Sequence, residues 1–192
     1  MIRNIKNLRI IKVLLNNPKG NLTKYKIAKV SETSIPWTIQ FLKKLEVINL
    51  IQKTKVLDYN KLIDYYLTVD KGQKYYNFQI PNVINFLRNI NLEYSLTTFG
   101  AENQISHHLS PFRYDVYIHE SDLLKWKELI LRKGLIGQGN LRLIITNEKE
   151  IFNNSRIINE LNVVSIPQLL IDLKKEGGVA IEAYNLIVKE YV

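Results

Sequence analysis

Cysteine is absent from this 192-residue chain, so neither a disulfide framework nor a thiolate metal site is available to it. Long apolar runs are missing too. No apolar stretch follows a basic leader, and none reaches the roughly 18 residues of a spanning helix. That argues against a secretory signal or a membrane span and makes the cytoplasm the expected compartment. With only 5 prolines and 8 glycines there is no low-complexity linker, and no internal repeat is visible. Acidic residues are scarce in one region only. Up to Lys55 the chain holds twelve Lys and Arg against two Asp and Glu, a net of +10, while the remainder nearly balances at −1. The total of +9 is thus concentrated at one end, as a polyanion-binding module requires and solubility alone does not.

Within that basic end, residues 21–55 have the pattern of a winged helix-turn-helix. Thr23 can cap a short helix over residues 24–30, residues 31–33 make a tight turn, and Ser34 can cap a second helix with Pro36 in its first turn. At about 100° per residue, Ile35, Thr38, Ile39, Leu42 and Leu45 fall on one side of it, and Pro36, Trp37, Gln40, Lys43 and Lys44 on the other. Asn49, a residue that tolerates left-handed geometry, ends the helix. Residues 50–52 and 56–59 are then expected to pair around Lys53-Thr54-Lys55 as a wing whose lysines meet backbone phosphate.

The expected DNA-binding residues are therefore Thr23, Lys24, Lys26, Ser34, Trp37, Gln40, Lys43, Lys44, Lys53 and Lys55. Gln40 is the candidate for a bidentate contact to adenine, and Trp37 for apolar contact with a thymine methyl. Ile5, Leu8, Ile11, Leu14 and Leu15 predict a first helix behind the pair. Its Arg3, Lys6, Arg9 and Lys12 point either to DNA or to solvent. Two competing readings are a solvated helix pair whose lysines serve solubility, and a protein–protein module.

A capped helix over residues 57–67 closes a first domain, 1–70, at Asp70-Lys71-Gly72. Domain 71–192 alternates strands and helices. Strands are expected at 74–80, 93–96, 113–119, 141–146 and 163–164. Helices are expected from Pro81 to Ile90, from Thr97 or Thr98 to His108, from Ser121 to Lys133-Gly134, from Ser165 to Gly177-Gly178, and over 179–190. Ser165-Ile166-Pro167-Gln168 reads as a capping box, and Val116 and Ile118 are expected on the face of their strand opposite Asp115, Tyr117 and His119. The fold class is α/β (α+β overall), a winged helix followed by a mixed α/β domain.

The second domain offers little chemistry. His107, His108 and His119, near Glu102, Asp115 and Glu120, invite a metal site, but no His-x3-His pair occurs and the neighbours His107 and His108 point apart. Asp115 with Glu148-Lys149-Glu150 has no specific nuclease spacing. There is no Gly-Ser with paired aspartates, no Ser-centred nucleophile elbow, and Gly134-Leu135-Ile136-Gly137-Gln138-Gly139 lacks the lysine of a phosphate loop, reading instead as a flexible turn. No catalytic residue, metal ligand or cofactor is expected. The alternative is a metal-dependent nucleic-acid-processing enzyme, delivered by the winged helix and centred on the histidines.

The order of elements, with Leu57-Asp58, Leu62-Ile63-Asp64-Tyr65-Tyr66 and then an α/β domain, resembles the AbiEi family of transcriptional-regulator antitoxins. The similarity is strongest at Tyr94-Ser95-Leu96-Thr97-Thr98-Phe99-Gly100-Ala101, where the family tends to carry Tyr-x-Leu-Thr-Gly and then Ala, so that Thr98 replaces a glycine. Residues 113–118, Gly139-Asn140-Leu141, Val164-Ser165, Gln168-Leu169, Asp172-Leu173 and Gly177-Gly178 with Ala180, Glu182 and Ala183 extend it. The resemblance implies an antitoxin of a type IV toxin–antitoxin pair. Such a protein represses its own operon by binding double-stranded DNA at its operator. It counters a nucleotidyltransferase-like toxin through the second domain without a stable complex. It would act as a monomer or homodimer, away from membranes.

Overall fold

The structure, a computed structural model, describes residues 5–70, 72–132, 135–137 and 139–191. Arg3, Lys71 and the expected helix stop at Lys133-Gly134 lie outside these residues. The chain divides into two compact units, one ending at Gly72 and one spanning Gln73–Tyr191. The architecture is mixed α/β, and no described helix is long and apolar enough to cross a membrane.

In the first unit, α1 (Ile5–Asn16) is buried without interruption from Ile10 to Leu15. Thr23 caps α2 (Lys24–Val30), its hydroxyl accepting the Lys26 N–H at 3.2 Å. Ser34 stands at the N-cap of α3 (Ile35–Val47), but its side chain makes no cap bond. The turn between these helices is held by hydroxyls. Ser31 Oγ lies 2.7 Å from the Ile27 carbonyl and 2.8 Å from Thr33 Oγ1, which is 2.6 Å from Thr38 Oγ1, itself 3.0 Å from the Ser34 carbonyl. Three protons thus serve four contacts around a buried Thr38.

The buried side of α3 is Thr38, Phe41, Leu42 and Leu45. Ile35, expected inside, is 41% exposed, and Phe41 takes its place because Tyr65 packs against its ring at 6.5 Å. Asn49 adopts φ 55 and closes the helix, with Leu50 N–H donating to Leu45 O and Asn49 N–H to Glu46 O.

A two-residue turn, Lys53-Thr54, joins β1 (Ile51–Gln52) to β2 (Lys55–Val56), with Ile51 opposite Val56. Glu46 Oε1 accepts the Lys53 N–H at 2.7 Å and ties the turn to α3. The α1–α2 connection lies along β2: Val56 N–H donates to Pro18 O and the Thr54 hydroxyl to Gly20 O. The pairing expected as far as residue 59 stops at Leu57, because the Asp58 carboxylate accepts the Lys61 N–H at 2.9 Å and starts α4 (Tyr59–Val69). The α4 tyrosines serve the core. Tyr59 and Tyr66 are buried, and Tyr59 OH donates to Leu15 O.

The second unit is built on a sheet whose strand order is β6 (Leu135–Ile136), β3 (Tyr75–Gln79), β7 (Leu141–Thr146), β5 (Tyr114–His119), β4 (Ser95–Thr97), β9 (Leu161–Val163) and β8 (Arg156–Ile158). The unit's α-helices are α5 (Val83–Arg88), α6 (Thr98–Ile105), α7 (Leu123–Leu131), α8 (Lys149–Asn153), α9 (Ile166–Glu176) and α10 (Ala180–Tyr191). The pairs β5–β7 and β4–β9 are parallel and the others antiparallel, so the sheet is mixed.

Asp115, Val116, Tyr117 and Ile118 are all buried, so both faces of β5 are covered. Several expected boundaries shift. Asn82 rather than Pro81 begins α5, accepting the Asn85 N–H, and a 3₁₀ turn over Glu120–Asp122 precedes α7 in place of a Ser121 cap. The capping box does not form: Ser165 makes no side-chain cap bond, and Gln168 turns to Tyr117 and Asp172 instead. The glycine-bearing stretch is not a loose turn where it is described. Leu135–Ile136 pairs with β3, and a Cβ on Gly139 would stand 2.1 Å from Phe78 O.

Candidate nucleic-acid interface

The two acids among residues 1–55 are engaged within the first unit. Glu32 pairs with Arg9 at 3.1 Å, and Glu46 accepts the Lys53 amide. Among the described residues, Lys24, Lys26, Lys43, Lys44, Lys53 and Lys55 form no ion pair. All but the half-buried Lys24 are exposed. Residues 1–72 hold fourteen Lys and Arg against five Asp and Glu, whereas residues 73–191 hold thirteen of each.

The outer side of α3 is open as the spacing predicts, with Pro36, Gln40, Lys43 and Lys44 exposed. Trp37 differs. It is 36% exposed, its indole N–H donates to Asn7 Oδ1 at 3.0 Å, and Lys6 Nζ lies 5.6 Å from the ring centroid. The ring therefore leans on α1 instead of standing free. Thr23 and Ser34 sit at the two helix starts, the first with its hydroxyl committed to the cap.

The basic residues of α1 separate into different roles. Lys12 is buried, 6.0 Å from the Tyr66 ring centroid, Arg9 is paired, and Lys6 stands over Trp37. Asn7, Trp37, Gln40, Phe41 and Lys44 together line a cleft of about 320 Å³. Asn7 and Phe41 were not identifiable from α3 alone, since each owes its place to a second helix.

In the second unit the polar side chains gather beneath α9. Thr97, Asp115 and Arg142 are register partners across β4, β5 and β7. The fully buried Asp115 accepts from Arg113 Nε at 2.7 Å and Nη2 at 2.9 Å, and from the Thr98 hydroxyl. Arg113 also reaches Glu176 at 2.9 Å, and Arg142 lies 3.6 Å from Asp115. Burial works against the Arg113 charge, but hydrogen bonds and charge from Asp115 and Glu176 outweigh it and raise its pKa above the ordinary value.

Asp172 is held by Thr97 at 2.6 Å, Tyr117 at 2.8 Å and Gln168 at 3.0 Å. The fully buried Glu102 accepts the Leu109 N–H at 2.8 Å, the His108 N–H at 3.2 Å and the Ser106 hydroxyl. These carboxylates are surrounded by fixed donors of the protein and tie α6, α9 and the sheet together.

The three histidines do not form one site. His119 bonds Glu93 at 2.7 Å and stacks on Phe152, His108 lies 4.0 Å from Glu182, and His107 is exposed. Among the described residues no three His, Asp or Glu side chains are grouped to hold a metal ion. No family model, curated protein or solved structure matches this chain.

Proposed function

We propose that the first unit is a winged helix-turn-helix that binds duplex DNA and that the chain is a transcriptional regulator of its own operon. The observation that carries this reading is the set of six lysines on α2, α3 and the hairpin that have no ion-pair partner among the described residues, together with an exposed Gln40 on α3. Cations left unneutralised within a folded unit are suited to phosphate, and an amide on the outer side of α3 is suited to a base edge.

The further role, an antitoxin that counters a nucleotidyltransferase-like toxin without a stable complex, rests on the AbiEi resemblance. One detail agrees with it. Thr98, where that family carries glycine, has φ 46, a left-handed conformation that glycine adopts without strain.

Binding to the promoter of the protein's own operon, followed by anisotropy across a salt series, tests the first claim. Six phosphate contacts give a log–log slope of about −5. A salt-independent association, or none, would remove the reading. For the antitoxin role, coexpression with a nucleotidyltransferase-like toxin from the same operon should restore growth without copurification. Unrelieved toxicity would refute that role.

A further inference from the structure

The cleft between α1 and α3 is built differently from the lysine-rich surface around it. Its walls are aromatic: the Trp37 ring, braced by Asn7, and the Phe41 ring, which is 4% exposed. Asn7 and Gln40 add amides, and Lys44 is exposed and without an ion-pair partner among the described residues. Lys6 places a second ammonium 5.6 Å from the indole centroid. Among the described residues the lining contains no carboxylate.

We infer that this cleft binds a small planar aromatic carboxylate and that an occupied cleft excludes the duplex; the second half rests on the DNA-binding reading above. About 320 Å³ is at the lower end for small-molecule pockets, which favours a ligand of one or two rings. Flat apolar walls select a ring, and a cation at the edge selects an anion through a charge-assisted hydrogen bond. A phosphorylated sugar would satisfy Lys44 and waste both rings. Coupling follows from shared residues. Trp37, Gln40 and Lys44 line the cleft and also belong to the proposed duplex face, so ligand and DNA compete for them.

The indole N–H signals of the full chain in ¹H–¹⁵N spectra test this directly. There are two tryptophans, and Trp126, fully buried in the other unit, serves as the internal control. Titration with 2-naphthoate should move the Trp37 signal saturably and leave Trp126 in place, with neutral 2-naphthamide binding at least tenfold more weakly. Lys44→Met should abolish that preference, and Lys44→Arg should restore it. At 2-naphthoate tenfold above its Kd, the apparent duplex Kd should rise about tenfold. An unmoved Trp37 signal, equal binding of acid and amide, or unchanged duplex affinity at saturation would each overturn the inference. Duplex binding is measured first without ligand. Its absence there would remove the DNA-binding reading and the competition with it, while the Trp37 titration would still decide the ligand site.

Discussion

Thr98 combines a left-handed backbone, φ 46, with a hydroxyl bonded to the buried carboxylate of Asp115. The two features oppose each other energetically, and paired substitutions separate them. Thr98→Ala and Thr98→Gly both remove the hydroxyl, but only alanine retains the strain of positive φ. Thr98→Gly should therefore be the more stable of the two by about 1 kcal/mol in urea unfolding, and equal stabilities would show that φ carries no strain. If the first unit binds an operator as proposed, Gln40→Ala on α3 should cost about 1–3 kcal/mol at one base position and relax preference there. Lys43→Ala should weaken all duplexes alike and reduce the salt slope by about one. A binding-site selection with each variant distinguishes these outcomes. The exposure of Gln40, Lys43 and Lys44 was readable from helical spacing, whereas the Trp37–Asn7 bond spans thirty positions and no local pattern encodes it.

The start of α4 depends on a single carboxylate. Asp58 accepts the Lys61 backbone N–H, and this bond, set against partial burial, holds its pKa below the ordinary 3.8. A lowered carboxylate pKa adds stability that is present above the ordinary value and is lost as pH falls through the folded one. Asp58→Ala should cost about 1 kcal/mol at neutral pH. The difference from the parent should hold down to about pH 5 and shrink below about pH 4, as followed by thermal melts. The exposed pair with Lys61 adds little.

The hairpin depends on Gly20, whose φ of 77 and absent Cβ let the α1–α2 connection approach Lys55 N; a Cβ there would meet it at 2.8 Å. Gly20→Ala should destabilise the unit by more than 1 kcal/mol and expose the Val56 amide to hydrogen exchange. Unchanged exchange would show that the connection and β2 are not coupled. Elements with a cap and a clear period were legible in sequence. The five-residue α8 and the three-residue β8 are too short to show a period, and the Ser165 box failed because Gln168 has better partners on β5 and α9.

The two units differ most in what they do with charge. The first leaves Lys24, Lys26, Lys43, Lys44, Lys53 and Lys55 without an ion-pair partner among the described residues, and the second gathers Arg113, Arg142 and Glu176 around the buried Asp115. Arg113→Met leaves that buried carboxylate with only Arg142 at 3.6 Å and the Thr98 hydroxyl and should cost about 3 kcal/mol, read from tryptophan fluorescence in urea. Adding Asp115→Asn to Arg113→Met should recover part of the loss. If it recovers nothing, the loss does not come from leaving Asp115 without Arg113 and is assigned instead to the Arg113–Glu176 link between β5 and α9.

Composition and local spacing were enough to place the positive charge, the helices of the first unit, the left-handed Asn49 and the alternation of strands and helices, because each depends on neighbours within a few residues. Strand order, the burial of both faces of β5, the Arg113–Asp115–Glu176 cluster and the Trp37 cleft were settled only by the tertiary fold. Each depends on elements far apart in the chain: Arg113 is two positions from the buried Asp115, but Thr98, Arg142 and Glu176, which complete the cluster, come from other helices and strands.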